Sequence, residues 1–167
     1  MTQETLKLCA WLHIWSKGGK VSGIVCAIRG GPASRPTIEK AIEVASERGL
    51  VLYFLYVVNI DFLDHTIRSR VQTISQQMQQ MGEFIILSAQ ATAKSKGIEA
   101  QGLVRHGEVT EEIPKLCHEI QADYLVVGRP KFQQEESHFT QTLLADFIKG
   151  VEEQTGAKVI LSEPSES

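Results

Sequence analysis

The sequence predicts an α/β fold in which five parallel strands alternate with helices. From residue 21 onward, short apolar runs alternate with longer segments whose apolar residues recur every three or four positions. This alternation is typical of repeated βαβ units around a parallel sheet. Two of the apolar runs, 24–28 and 50–58, contain no charged residue, as expected for central strands covered on both faces. We therefore expect an open parallel sheet with helices on both faces.

The length and composition predict a single packed domain. The chain has 167 residues, of which 43% are hydrophobic and 22% charged, which is ordinary for a globular protein of one core. The formal net charge of -3 provides no large positive field, so nucleic-acid partners are not expected. We expect an apolar extension and hinge at 1–20, the α/β domain at 21–162 and a tail at 163–167.

Five strands and four helices can be assigned in order. The strands are expected at 24–28, 50–58, 98–104, 124–127 and 158–161. The third mixes Glu99 and Gln101 with apolar residues, which favours a position near an edge, and the fifth precedes Pro164, which suits a closing edge strand.

Each helix is expected to bury one apolar face. Ser34 and Thr110 are the expected caps of the first and third helices, and Gly49 the expected end of the first. The Gln-rich side of the second helix, 72–80, is expected to face solvent. The inward positions are Ile38, Ala41, Ile42 and Ala45 in the first helix; Val71, Ile74, Met78, Met81 and Ile85 in the second; Ile113, Leu116, Cys117 and Ile120 in the third; and Leu143, Leu144, Phe147, Ile148 and Val151 in the fourth.

Residues 6–15 form an apolar, Trp-containing segment before the domain. The segment is too short to span a bilayer, and it lacks the basic start and small-residue cleavage site of a secretory signal. Two interpretations are open: the segment docks on the domain or across a dimer interface, or it contacts a membrane surface.

The cysteines indicate a reducing compartment. Cys9, Cys26 and Cys117 lack CxxC spacing and lie in apolar segments, which predicts reduced, buried thiols. We therefore expect a cytoplasmic protein.

Ligands of open parallel sheets bind outside the carboxyl ends of the strands, where the strand order reverses. The relevant loops follow the first, second and fourth strands, at 29–32, 59–61 and 128–141. These three loops are the expected place for any binding site.

Two stretches resemble the universal stress protein family. The run 24–28, followed by Gly30, a helix to Ala45 and Tyr56-Val57-Val58, is similar to the first half of that family, and 122–128 (ADYLVVG) is similar to its fourth strand. The likeness covers about residues 21–162. It implies an adenine nucleotide alpha hydrolase-like fold with strand order 3-2-1-4-5, and a homodimer joined through the last strand, here at Val159, Ile160 and Leu161.

The resemblance also implies a nucleotide-binding motif that this chain has altered. ATP-binding members carry an aspartate after the first strand and a G-x2-G-x9-G-[ST] loop after the fourth. Gly128 and Thr142 match the first glycine and the final hydroxyl, whereas Lys131 and Gln141 replace the other two glycines and Arg29 replaces the aspartate. Because glycines allow backbone amides to approach phosphate closely, the replacements imply that ATP binding is weakened or lost.

Two interpretations of the basic replacements are open. Arg29, Arg129 and Lys131 are either solvated loop charges, paired with Asp61, Asp64 or Glu135, or they hold a different anion near the helix that starts at Ser34. The candidate residues for a nucleotide or anion are Arg29, Gly30, Val57, Gly128, Lys131, Gln141 and Thr142.

No catalytic pattern is present in the sequence. The five histidines are scattered, and neither HExxH, a glycine-flanked serine nor a P-loop occurs. The sequence thus predicts a non-catalytic protein without a metal, with ATP or another nucleotide as the one cofactor to consider. Three functions remain: a dimeric stress or regulatory module that acts on a protein partner, a sensor of a nucleotide or other anion, and a cytoplasmic domain that docks on a membrane transporter.

Overall fold

The structure, a computed structural model, describes residues 23–60, 68–129 and 137–164. Within these ranges five strands alternate with four helices. The strands are β1 (Gly23–Ala27), β2 (Val51–Val58), β3 (Ala100–His106), β4 (Ala122–Gly128) and β5 (Lys158–Ser162), and the helices are α1 (Arg35–Arg48), α2 (Arg68–Ser95), α3 (Val109–Glu119) and α4 (Ser137–Thr155). A short 3-10 turn, Pro32–Ser34, leads into α1.

The five strands form one sheet in the order β3-β2-β1-β4-β5. All four pairings are parallel, and at the centre Cys26 of β1 lies between Phe54 of β2 and Val126 of β4. The predicted fold class, the strand order implied by the resemblance and the edge positions of the third and fifth strands are confirmed.

The core lies in two layers, one on each face of the sheet. Cys26, Phe54 and Val126 point toward the layer that includes α1 and α2, while Leu55 and Leu125 belong to the layer formed with α3 and α4. The expected burial of both central strands is confirmed, because alternate residues of each strand reach opposite helix layers.

Helix α2 is rotated relative to the prediction from its apolar spacing. Met81, expected to face inward, is 56% exposed, and the buried positions are Gly82, Ile86, Ala89 and Ala93. The cause is Gly82, where a Cβ would lie 2.5 Å from Cδ1 of the Tyr56 ring. The missing side chain therefore allows Tyr56 to pack directly against the helix backbone.

Three smaller expectations are corrected by packing and cap geometry. Leu143 of α4 is 52% exposed rather than inward, since the helix contacts the core through later residues such as Phe147 and Val151. The N-cap of α3 is Glu108, not Thr110. Ser34 is the N-cap residue of α1, but its hydroxyl makes no bond to that helix.

Other local predictions agree with the structure. Gly49 ends α1 in the left-handed conformation, with φ of 63°, as a glycine at a helix C-terminus commonly does. On the Gln-rich side of α2, Gln72, Gln76, Gln77 and Gln80 are exposed. None of the helices in the described part of the chain is long and apolar enough to cross a membrane. The apolar segment 6–15 lies outside the described residues.

Candidate nucleotide site

The candidate residues lie on several elements around the carboxyl end of the sheet. Arg29 and Gly30 follow β1, Val57 is the penultimate residue of β2, and Gly128 ends β4. Val57 packs, partly buried, against the core layer of α3 and α4. Lys131 lies outside the described residues.

Ser34 organises the loop between β1 and α1. Its Oγ accepts hydrogen bonds from the backbone amides of Gly30, at 2.9 Å, and Arg29, at 3.3 Å, and the hydroxyl lies 3.2 Å from the carbonyl oxygen of Gly30, to which it donates. Two backbone amides of the loop between β1 and α1 are therefore already bonded within the protein and are not free to bind a ligand. The sequence identified Ser34 as a helix cap, but its role in the loop was not predicted.

A buried pair of hydroxyls lies beneath the end of β4. Oγ1 of Thr37, in the first turn of α1, is 2.7 Å from Oγ of Ser162, the last residue of β5. Thr37 is 2% exposed and Ser162 6% exposed. A Cβ on Gly128 would lie 2.8 Å from Thr37 Oγ1, so β4, β5 and α1 meet at this point. No pattern in the sequence indicates this pair, whose members are separated by 125 positions.

Arg129 is held against the end of β5. Its backbone amide donates to the carbonyl oxygen of Ser162 at 3.0 Å, and its Nε lies 3.3 Å from Oε1 of Glu163. The predicted carboxylate partners, Asp61, Asp64 and Glu135, lie outside the described residues, and Glu163 was not among them. Arg29 is exposed, and no ion pair joins it to an acid within 23–60, 70–129 or 141–164.

Gln141 and Thr142 belong to a helix and not to a loop. The sequence placed the connection after the fourth strand at 128–141, but α4 already begins at Ser137. Only the first four amides of an α-helix lack an intrahelical acceptor. The amides of Gln141 and Thr142, the fifth and sixth residues of α4, are therefore bonded within the helix, which corrects the prediction that the loop extends to Gln141.

The cysteine nearest the site has low reactivity. Cys26 is free and fully buried in β1, and its Sγ lies 3.8 Å from the carbonyl oxygen of Thr37. Burial raises the pKa of the Cys26 thiol far above its usual value, and it raises the pKa of Cys117 to about 12. Both thiols are thus protonated at neutral pH, and a protonated thiol is a poor nucleophile. Cys9 lies outside the described residues.

One backbone group on the outer edge of β5 is hydrogen-bonded to a side chain. Among the described strands β5 pairs only with β4, and the carbonyl of Ser162 points toward β4 because it accepts from Arg129. Successive residues of a strand direct their backbone N–H and C=O groups to opposite edges, so Val159 and Leu161 direct theirs to the open edge. The Val159 amide donates to Oε1 of Glu152 at 3.1 Å. Val159, Ile160 and Leu161 are each only partly buried.

The chain thus has the architecture of the adenine nucleotide alpha hydrolase-like class: a parallel sheet of order 3-2-1-4-5 with helices on both faces. The strand order reverses between β1 and β4, the place where such folds form a ligand crevice. A family model described as the Universal stress protein family matches residues 22–159. The chain belongs to the universal stress protein family, as the resemblance implied.

Solved structures of that family share the fold. A universal stress protein from Burkholderia pseudomallei superimposes with a TM-score of 0.64 at 18% identity, covering 89% of this chain and 99% of its own. UspA from Lactobacillus plantarum gives 0.68 at 13% identity, covering 87% and 99%. A universal stress protein in complex with cAMP gives 0.62 at 18% identity, covering 88% and 100%. Comparison of the sequence with curated proteins finds no match.

Proposed function

We propose that this chain is a non-catalytic, cytoplasmic stress or regulatory module whose ATP site has been lost, and that it acts as a homodimer on a protein partner. Membership of the universal stress protein family supports the role of a stress or regulatory module. The loss of ATP binding is supported by the geometry around β1, β4 and α4.

The observation that carries the proposal is the start of α4. A triphosphate site of the glycine-rich type needs backbone amides that are free and closely approachable. Here Gln141 and Thr142 lie in the second turn of α4, where their amides have intrahelical acceptors. The third glycine position of the motif therefore lacks both the glycine and the free amide.

The loop after β1 supports the same conclusion. The Arg29 and Gly30 amides are bonded to Ser34, and Arg29 supplies a cation where ATP-binding relatives have a carboxylate. A guanidinium cannot accept hydrogen bonds from ribose hydroxyls or hold a magnesium ion. Both sides of the crevice thus lack groups that ATP requires.

Calorimetry of the purified chain tests the loss of ATP binding. We expect no heat of binding when ATP and magnesium are titrated, because Arg29 replaces the carboxylate after β1 and Gln141, in place of the third glycine, lies inside α4. We also expect no gain in stability under ATP, whereas a ligand present at a hundred times its Kd would add about 2.7 kcal/mol. Magnesium-dependent ATP binding would contradict the proposal.

A second function, sensing of another anion, is favoured by Arg29. This residue is exposed at the crevice without an acidic partner in the described ranges, and one structural neighbour is a complex with cAMP. Titration of AMP, cAMP and cyclic dinucleotides tests this function. Binding that Arg29→Asp removes would support it, provided that Lys96→Asp retains binding, since Lys96 is an exposed residue before β3 at the opposite end of the sheet. Absence of heat for every anion would exclude it.

The proposed homodimer forms through the open edge of β5. Unpaired strand edges favour pairing with another chain, and Leu161 presents its backbone to this edge. The Glu152 carboxylate accepts a hydrogen bond from the Val159 amide on the same edge. Pairing along the full edge therefore requires this carboxylate to move away.

Replacement of Leu161 with proline is expected to convert the dimer to a monomer that remains folded. Proline removes an amide that faces away from β4, and such positions on edge strands tolerate proline. Light scattering or analytical ultracentrifugation gives the mass, and circular dichroism checks the fold. Ile160→Pro is the matched control, because the Ile160 amide faces β4 and its loss should damage the sheet itself. A Leu161→Pro variant that stays dimeric would place the dimer interface elsewhere.

A further inference from the structure

An apolar strip lies on the solvent side of α2. Met81, Phe84 and Leu87 are 56%, 73% and 64% exposed, and their spacing of three residues places them along one side of the helix. The buried positions Ile86 and Ala89 lie on the other side. We call these three exposed residues the α2 strip.

The α2 strip is too small to hold two copies of the chain together by itself. A large apolar side chain has about 150–250 Å² of surface, so at the exposures of the three side chains the strip offers roughly 300–500 Å². A stable interface between separate proteins buries about 800 Å² on each partner. A segment of the same chain needs less area, since its tether keeps its local concentration high.

The segment before β1 has a matching apolar pattern. Leu8, Trp11, Leu12 and Trp15 follow the i, i+3, i+4, i+7 spacing that places side chains on one face of a helix. Lys7 and His13 interrupt the apolar run. The segment therefore offers an apolar face that complements an apolar strip.

The connecting residues are long enough to reach the strip. Ile86 packs on Gly102 of β3, which is in register with Phe54 and, through it, with Cys26. The α2 strip thus lies level with Cys26, about 10 Å along β1 from Gly23, and about 10 Å to the side, since β3 is two strands away. Allowing for the thickness of the helix layer, the separation is about 20 Å. Residues 16–22 span up to about 25 Å when extended.

We infer that the segment 6–15 of the same chain docks on the α2 strip and shields Met81, Phe84 and Leu87 from water. The segment is then part of the folded domain, and the tryptophan side chains fill the surface between the exposed side chains of α2. This inference is independent of nucleotide binding.

Tryptophan fluorescence of the full chain tests this docking directly. The chain has two tryptophans, Trp11 and Trp15, so the emission reports on this segment alone. In the double variant Phe84→Ser/Leu87→Ser we expect the emission maximum to shift to the red and quenching by iodide to increase. The matched control is Leu143→Ser, which removes an exposed leucine from α4, on the opposite helix layer, and it should leave the emission unchanged. Both variants alter solvent-exposed side chains, so the core stays intact, and circular dichroism verifies this.

A cross-link provides the second measurement. With Ser88→Cys, an exposed position beside Leu87, mild oxidation should join Cys9 to the new thiol within one chain, since Cys26 and Cys117 are buried. Lys149→Cys, on α4, should not react with Cys9. A Cys9 disulfide that links two chains would overturn the inference in favour of a second copy. Wild-type emission at the wavelength of a water-exposed indole, shifting to the blue only with vesicles of phosphatidylcholine and phosphatidylglycerol, would overturn it in favour of a membrane contact.

Discussion

Replacement of Gly30 with alanine is expected to lower the free energy of unfolding by about 2–5 kcal/mol. Gly30 has φ of 88°, and a Cβ at this position would lie 2.4 Å from Cδ1 of Ile85 on α2. The positive φ costs an alanine about 1–2 kcal/mol, and forcing a methyl group into packed space adds about 1–3 kcal/mol. Urea denaturation of the wild type and the variant measures the difference.

Gly49→Ala is the matched control for this prediction. Gly49 also has a positive φ, 63°, with ψ of 36° in the left-handed region, and no atom lies within 4 Å of the place where its Cβ would be. Alanine there should lose only the backbone component, about 1–2 kcal/mol. If both variants lower the free energy of unfolding equally, the contact with Ile85 does not contribute to the loss. A Gly30→Ala/Ile85→Val double variant should recover part of the steric component of that free energy.

Packing alone explains the glycines that remain around the candidate nucleotide site. Gly30 and Gly128 are residues at which the chain retains the family pattern, yet each has a structural reason to be glycine: Gly30 packs under Ile85, and Gly128 lies against Thr37. Their presence is therefore explained without a ligand. At position 141, which lies inside α4, the chain has glutamine instead of glycine.

Thr37→Val is expected to lower the free energy of unfolding by about 1–3 kcal/mol. Valine retains the shape of threonine but removes the hydroxyl, which leaves Oγ of Ser162 buried without its partner. An unsatisfied buried polar group costs more than a missing hydrogen bond alone. Because this pair joins α1 to β5, its loss should also weaken the proposed dimer interface at β5. Light scattering measures the fraction of dimer.

A double-variant cycle provides the control for the hydroxyl pair. Ser162→Ala alone should destabilise the protein by a similar amount, because it leaves Thr37 Oγ1 unpaired. The double variant Thr37→Val/Ser162→Ala leaves no polar atom of the pair behind, so its loss should be smaller than the sum of the two. Additive losses would show that the two hydroxyls do not depend on each other.

The altered site was only partly predictable from the sequence. The position of Arg29 shortly after β1 and of Gly128 at the end of β4 follows from strand periodicity, so both residues lie at the predicted, carboxyl end of the sheet. The start of α4 at Ser137 was not predicted, because its strong apolar pattern begins only at Leu143. The hydrogen bonds of Ser34 to the β1–α1 loop were missed because a serine at this position is equally well explained as a helix cap.

The sequence by itself determined the class of fold, since continuous apolar runs specify buried strands and recurring apolar positions specify helices on both faces. Tertiary structure alone decided the rotation of α2, which depends on the fit of Tyr56 against Gly82, and the pairing of Thr37 with Ser162. The physical reason is the separation along the sequence over which each effect acts. Hydrophobic periodicity acts within about ten neighbouring residues and survives in the sequence, whereas steric fit and buried hydrogen bonds join positions that become neighbours only after the sheet has formed.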